Sequence, residues 1–252
     1  MTGFDTIMAR ASRELVDMDY LACEAHCLEA LGLARAEGDF TAVRRALRPL
    51  QEARRARRML AADAAVYVGP DPGAPEGPGA GGTRPEKVVA SGAGCVCLTG
   101  DPAAATARLA RARAGGLHAE VLVGEPLPGA SGRWAVAAPP APGGPPDRGL
   151  FPAKVPAPPA AMIGRALHPD ETLPSGSSGG SGGSPRHWFV AAGEAVGDSA
   201  LAWAEGVAPA GTVERLAALE LAVGAVADHE LLHQALADAA GALELAGGGG
   251  LG

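Results

Sequence analysis

Five consecutive residues, His229-Glu230-Leu231-Leu232-His233, have the types and spacing of a zinc site. On a helix, histidines four positions apart lie one turn apart on one face. Both imidazoles can then share a zinc ion while the intervening glutamate activates a metal-bound water. That chemistry would make the chain a zinc-dependent hydrolase with His229 and His233 as ligands and Glu230 as base. A catalytic zinc needs a third protein ligand. Only Asp238 and Glu244 follow before the glycine tail, too near to return through a second helix, so the third ligand would come from upstream. Asp228 has the character of a helix N-cap, which would put His229 in the first turn. The competing reading is a pair of surface histidines bordering an apolar face, with no metal and no cofactor.

Thiols offer a second possibility. Cys23, His26 and Cys27 could join Cys95 and Cys97 around a soft metal, since thiolate and imidazole suit zinc or copper. No CxxC pairing supports this. The plainer reading buries Cys23 and Cys27 on the inner side of a helix and sets Cys95 and Cys97 on one face of a strand. A third candidate is the turn Leu98-Thr99-Gly100-Asp101-Pro102, which puts a helix N-terminus at a strand's end, where phosphates bind. It lacks GxGxxG, Asp101 would repel an anion and Pro102 removes an amide donor, so helix capping explains it better. His187, Glu194, Asp198 and Ser199 form no nucleophilic triad, and no G-x-S-x-G elbow occurs in the chain.

Arginine is the remaining chemistry. Arg44, Arg45, Arg48, Arg54, Arg55, Arg57 and Arg58 crowd one segment, and helical spacing aligns Arg44, Arg48 and Arg55. That face could meet phosphates or an acidic partner; the alternative is a solvated helix face. A formal charge of −7 argues against a protein devoted to nucleic acid. The 37 Gly and 22 Pro beside two lysines and no asparagine mark a GC-rich coding sequence, so runs of Ala, Gly or Arg are weak evidence of function. The start MTGFDTIMAR does not read as a secretion signal, and no apolar stretch approaches a membrane span, which implies a cytoplasmic chain with reduced cysteines.

These groups must be positioned by a helix-rich chain. Apolar periodicity predicts two helices between Asp5 and Glu37, broken at Asp17–Asp19. Gly38-Asp39 should end one helix and cap the next, which carries Phe40, Val43, Leu47, Leu50 and Met59 inward and can kink at Pro49. Residues 1–68 thus form a helical hairpin region, and 69–86 a Pro/Gly-rich linker or loop. Residues 87–174 read as a small α/β region. Lys87–Leu98 is β-like, Asp101-Pro102 starts a helix ended by Gly115-Gly116, Leu117–Val123 is a strand, and Trp134–Ala138 adds a third. The Pro-rich 139–160 is confined to loop or edge conformations. The run 175–185 has the composition of a laboratory linker as well as of a natural low-complexity loop. Residues 186–246 should form helices over Trp188–Trp203, after Thr212 and after Asp228, followed by a flexible tail at 247–252.

Residues 20–58, with their Gly38-Asp39-Phe40 turn, resemble a tetratricopeptide-type hairpin, a repeat that binds other proteins. Where that repeat carries Trp, Gly and Tyr this chain has Cys27, Leu31 and Ala34, and Val43 replaces its small residue. HELLH resembles the signature of zinc metallopeptidases. The stretches DYLACEAHCLEALGLAR and DHELLHQAL are also similar to bacterial proteins of GC-rich genomes, a resemblance that implies no activity. The expectation is an α/β protein, with N- and C-terminal helices around a small parallel, βαβ-containing sheet. Its expected role is that of a non-catalytic module binding a protein partner. One helical pair cannot bury its own apolar face, so 5–62 must dock on the βαβ unit, on the C-terminal helices or on another chain.

Overall fold

The computed structural model describes residues 3–71, 84–140, 149–171, 173, 184–226 and 228–248. In chain order the elements are α1 (Gly3–Val16), α2 (Tyr20–Glu37), α3 (Phe40–Ala64), β1 (Val66–Gly69), α4 (Arg84–Ser91), β2 (Gly94–Leu98), α5 (Pro102–Ala114), β3 (Ala119–Pro126), β4 (Arg133–Ala138), β5 (Leu150–Pro156), a 3-10 turn (Ala160–Met162), α6 (Pro185–Val207), α7 (Val213–Ala225) and α8 (Glu230–Gly248). The fold is α/β. Two compact units divide it: one takes residues 1–57 and 200–252, the other 58–199, so the division falls within α3 and within α6. No helix among the described residues is long and apolar enough to cross a membrane.

In the first unit, local side-chain chemistry starts α2, α3 and α7 and ends α2 where the sequence implied. Asp19 accepts from the Ala22 amide at 3.1 Å to cap α2, and Asp39 accepts from the Ala42 amide at 2.8 Å to cap α3. Gly38 ends α2 with φ 69°, its amide bonded to the Arg35 carbonyl and the Asp39 amide to Ala34. This is the Schellman arrangement, whose left-handed position favours glycine. The same arrangement ends α1: the Met18 amide bonds to Leu15 and the Asp19 amide to Glu14, but Met18 occupies the left-handed position with φ 61°. A side chain there costs roughly 1–2 kcal/mol relative to a right-handed conformation.

The hairpin buries small residues, among them Ala11, Ala30, Ala34, Ala42, Ala46 and Ala53, with Cys23, Cys27, Val43, Leu47 and Leu50. Met59 is exposed rather than inward. The partner the hairpin required is supplied by the C-terminal helices. Arg35 of α2 pairs with Glu220 of α7 at 2.7 Å, Thr41 donates to Glu244 of α8 at 2.6 Å, and Arg54 donates to the Val223 carbonyl at 2.7 Å.

The second unit holds a five-stranded mixed sheet in the order β1-β2-β3-β4-β5. β1, β2 and β3 run parallel, joined through α4 and α5, so the expected βαβ unit is present and a second precedes it. β4 and β5 extend the sheet antiparallel, and the sheet is therefore not parallel throughout. One segment differs from the sequence reading. Residues 84–91 are helical, not part of a strand over 87–98, because the strand Val66–Gly69, unrecognised at the end of a long helical region, requires a crossover before β2. Leu150–Pro156, inside the Pro-rich stretch that the sequence confines to loop or edge conformations, is an edge strand; Pro152 and Pro156 cannot donate to a ladder, and an edge position tolerates that. Their carbonyls accept instead from Ser199 Oγ and Trp188 Nε1 of α6, each at 3.0 Å.

Gly94 opens β2 with φ 93°, and a Cβ there would lie 2.7 Å from the Ala65 carbonyl oxygen. Gly94→Ala is expected to destabilise by more than about 1 kcal/mol, read as a lower midpoint in urea; an unchanged midpoint would contradict this close approach. The runs at 72–83, 141–148, 174–183 and 249–252, including most of the two linkers and the tail, lie outside the described residues.

Candidate functional site

In the first unit Glu24, Arg54, Arg57, His229 and His233 are buried. Glu24 on α2 is 4% exposed and lies between two buried guanidiniums of α3: Arg54 Nε donates to its Oε1 at 2.9 Å and Arg57 Nη1 donates to its Oε2. The buried face of α3 that begins with Val43, Leu47 and Leu50 continues through Ala53, Arg54 and Arg57. Arg58 belongs to the second unit, where it bonds Glu194 at 2.8 Å and the Val190 carbonyl at 3.1 Å. Gly193 permits this, since a Cβ there would lie 2.6 Å from Arg58 Nη2. Three of the seven clustered arginines are therefore buried ion-pair partners and not a solvated face.

The aligned trio Arg44, Arg48 and Arg55 does lie on the surface. Each already has a carboxylate: Arg44 meets Glu244 at 3.4 Å, Arg48 meets Glu52 at 3.2 Å, and Arg55 meets Glu230 at 3.1 Å and Asp228 at 4.0 Å. Phosphate groups would compete there with the carboxylates that already pair these arginines.

The HELLH residues are arranged differently from a zinc helix. α8 begins at Glu230, so His229 stands just outside it and Asp228 is not in the capping position. Neither imidazole is at the surface, with His229 3% and His233 2% exposed. His233 Nδ1 lies 3.1 Å from the His229 carbonyl, an acceptor that makes Nδ1 the protonated nitrogen and leaves Nε2 as a buried lone pair. Burial lowers the His233 pKa to about 4, with Arg54, His229 and Arg55 adding in the same direction and the His229 carbonyl opposing. Glu230 points outward to Arg55 instead of toward the histidines. No group of three or more His, Cys, Asp or Glu side chains that could hold a metal ion occurs among the described residues.

All four cysteines are buried and unpaired by disulfides. A hydrogen bond from Cys27 holds the Cys23 thiol below its usual range and raises that of Cys27, while Cys23 donates on to the Pro49 carbonyl at 4.0 Å. Burial pushes Cys97 up to about 12 and Cys95 well above the usual value, so these strand thiols are protonated core groups. In the second unit the βα turn is a cap: Asp101 accepts from the Ala103 amide at 2.9 Å ahead of Pro102. Sequence reasoning missed buried Arg108 on α5, which donates to Asp71 at 3.1 Å and to the Val89 carbonyl and ties α5 to the end of β1. Burial lowers its pKa.

An open cleft of about 490 Å³ lies between α1 and α3, lined by Met8, Ser12, Arg45, Arg48, Pro49 and Glu52. Arg45 stacks over Phe4 at 5.0 Å and pairs with Asp5 at 3.1 Å. The fold is α/β, and among the described residues the buried Glu24, Arg54, Arg57 and Arg108 are held in internal ion pairs. No family model, no curated protein and no solved structure matches the chain.

Proposed function

We propose that this protein is a non-catalytic interaction module and that the first unit carries the binding surface. The observation that supports the reading is the distribution of exposed large apolar side chains. Among the described residues, Val16, Met18, Leu28, Trp203, Val207, Val213, Leu221, Leu231 and Leu245 of the first unit are exposed, against Met59, Leu60 and Ile163 of the second. Scattered singly such residues are ordinary, but their concentration on one small helical unit is what a binding face requires. The resemblance of residues 20–58 to a tetratricopeptide-type hairpin points the same way. Among the described residues, by contrast, the two HELLH imidazoles are buried, Glu230 pairs with Arg55, and no group of three His, Cys, Asp or Glu that could hold a metal occurs.

Photo-crosslinking separates this reading from an enzymatic one. A photoreactive residue placed at Met18, Trp203 or Leu231 is expected to capture a discrete protein in stoichiometric yield, and one placed at Ile163 is not. Capture that is equal at all four positions, or absent from the first unit, would contradict it.

A further inference from the structure

The turn between α1 and α2 is built against its own stability. Val16 is 81% exposed and Met18 69%, so neither stabilises the fold by burial, and Met18 sits in the one backbone conformation that glycine takes at the equivalent end of α2. A strained, exposed, apolar residue where glycine would serve better marks a contact retained for another purpose. Asp17 and Asp19 flank it, both exposed, which makes the turn an apolar tip with acidic sides. The cleft between α1 and α3 has apolar walls from Met8 and Pro49 and, beside Ser12 and the carboxylate Glu52, the two cations Arg45 and Arg48. Their present partners, Asp5 and Glu52, hold them only by partly exposed ion pairs, which exchange at little cost. Arg13, on the tip's own helix, turns its Nε to the Ala9 carbonyl.

We propose that this protein self-associates through a two-fold interface in which the Val16–Met18 tip of each chain seats in the α1/α3 cleft of the other. This deepens the interaction reading and rests on it. At 1.5 Å per residue, Met18 lies about 9–15 Å along α1 from Ser12 and Met8, so both contacts of a symmetric pair fit within one interface of roughly 800 Å² per chain. Burying the tip in its partner also gives the strained methionine its apolar environment.

Sedimentation equilibrium of the full chain under reducing conditions tests this. A monomer–dimer equilibrium is expected. Met18→Gly relaxes the helix end and should raise Tm by about 2–4 °C while weakening the dimer roughly tenfold or more, an opposition that a merely structural residue would not produce. Asp17→Arg and Arg48→Glu should each weaken the dimer, and the two together should restore it. A chain that stays monomeric to about 1 mM, or a dimer indifferent to Met18→Gly and to the charge exchange, would overturn the proposal. A monomer that still crosslinks through Met18 to a different protein would overturn self-association alone, and a monomer with no such crosslink would overturn the interaction reading with it.

Discussion

Glu24→Ala is expected to destabilise the first unit by about 3–5 kcal/mol, a large part of a typical domain's stability, because it strands two guanidiniums that have lost their shared carboxylate inside the helical core. Arg54 and Arg57 are 3% and 4% exposed and both bond Glu24. The energetics are asymmetric. Removing one partner leaves uncompensated buried charge, whereas replacing all three by apolar residues of similar size removes the desolvation cost together with the attraction. The triple variant Glu24→Leu, Arg54→Met, Arg57→Met should therefore unfold at a higher urea concentration than Glu24→Ala alone. A Glu24→Ala midpoint within about 1 kcal/mol of the parent would show that the guanidiniums reach other carboxylates or water.

Acidification should weaken the same unit through His233. Its folded pKa is lowered from 6.5 to about 4, so between those values the unfolded chain binds the proton more readily than the folded one. The stabilisation is fully present above about pH 6.5, falls as the pH drops, and is lost by about pH 4, a change of about 3 kcal/mol from this group. Arg54 and Arg55 of α3 and the neighbouring His229 all oppose a positive charge at this position, and the His229 carbonyl favours it. His233→Leu should flatten the dependence of stability on pH across that window. If the variant keeps the parent's slope, the acid sensitivity arises elsewhere.

What could be read in advance was what is decided within a few residues. Asp19, Asp39, Asp101 and Thr212 each satisfy an amide two or three positions away, so their helix starts were visible as local patterns. The buried arginines were not. Arg54 finds Glu24 thirty positions back and the Val223 carbonyl 169 positions on, and nothing in a basic helix distinguishes those side chains from Arg48, which is solvated. β1 escaped because four residues after a 25-residue helix carry little periodicity, and β5 because its prolines suit a loop as well as an edge. The break at Asp17–Asp19 was legible, but the handedness of Met18 depends on amide bonds to Leu15 and Glu14 that no residue-type rule demands. HELLH shows the reverse case, a pattern legible in types and spacing whose members separate into two buried imidazoles and an outward glutamate.

Metal analysis of the full chain, purified without a nickel column, distinguishes a binding module from a zinc hydrolase. Far less than one zinc per chain is expected, with the same trace level in His229→Ala and His233→Ala. One zinc per chain in the parent, lost in either variant, would contradict the interaction reading and restore HELLH as a metal centre.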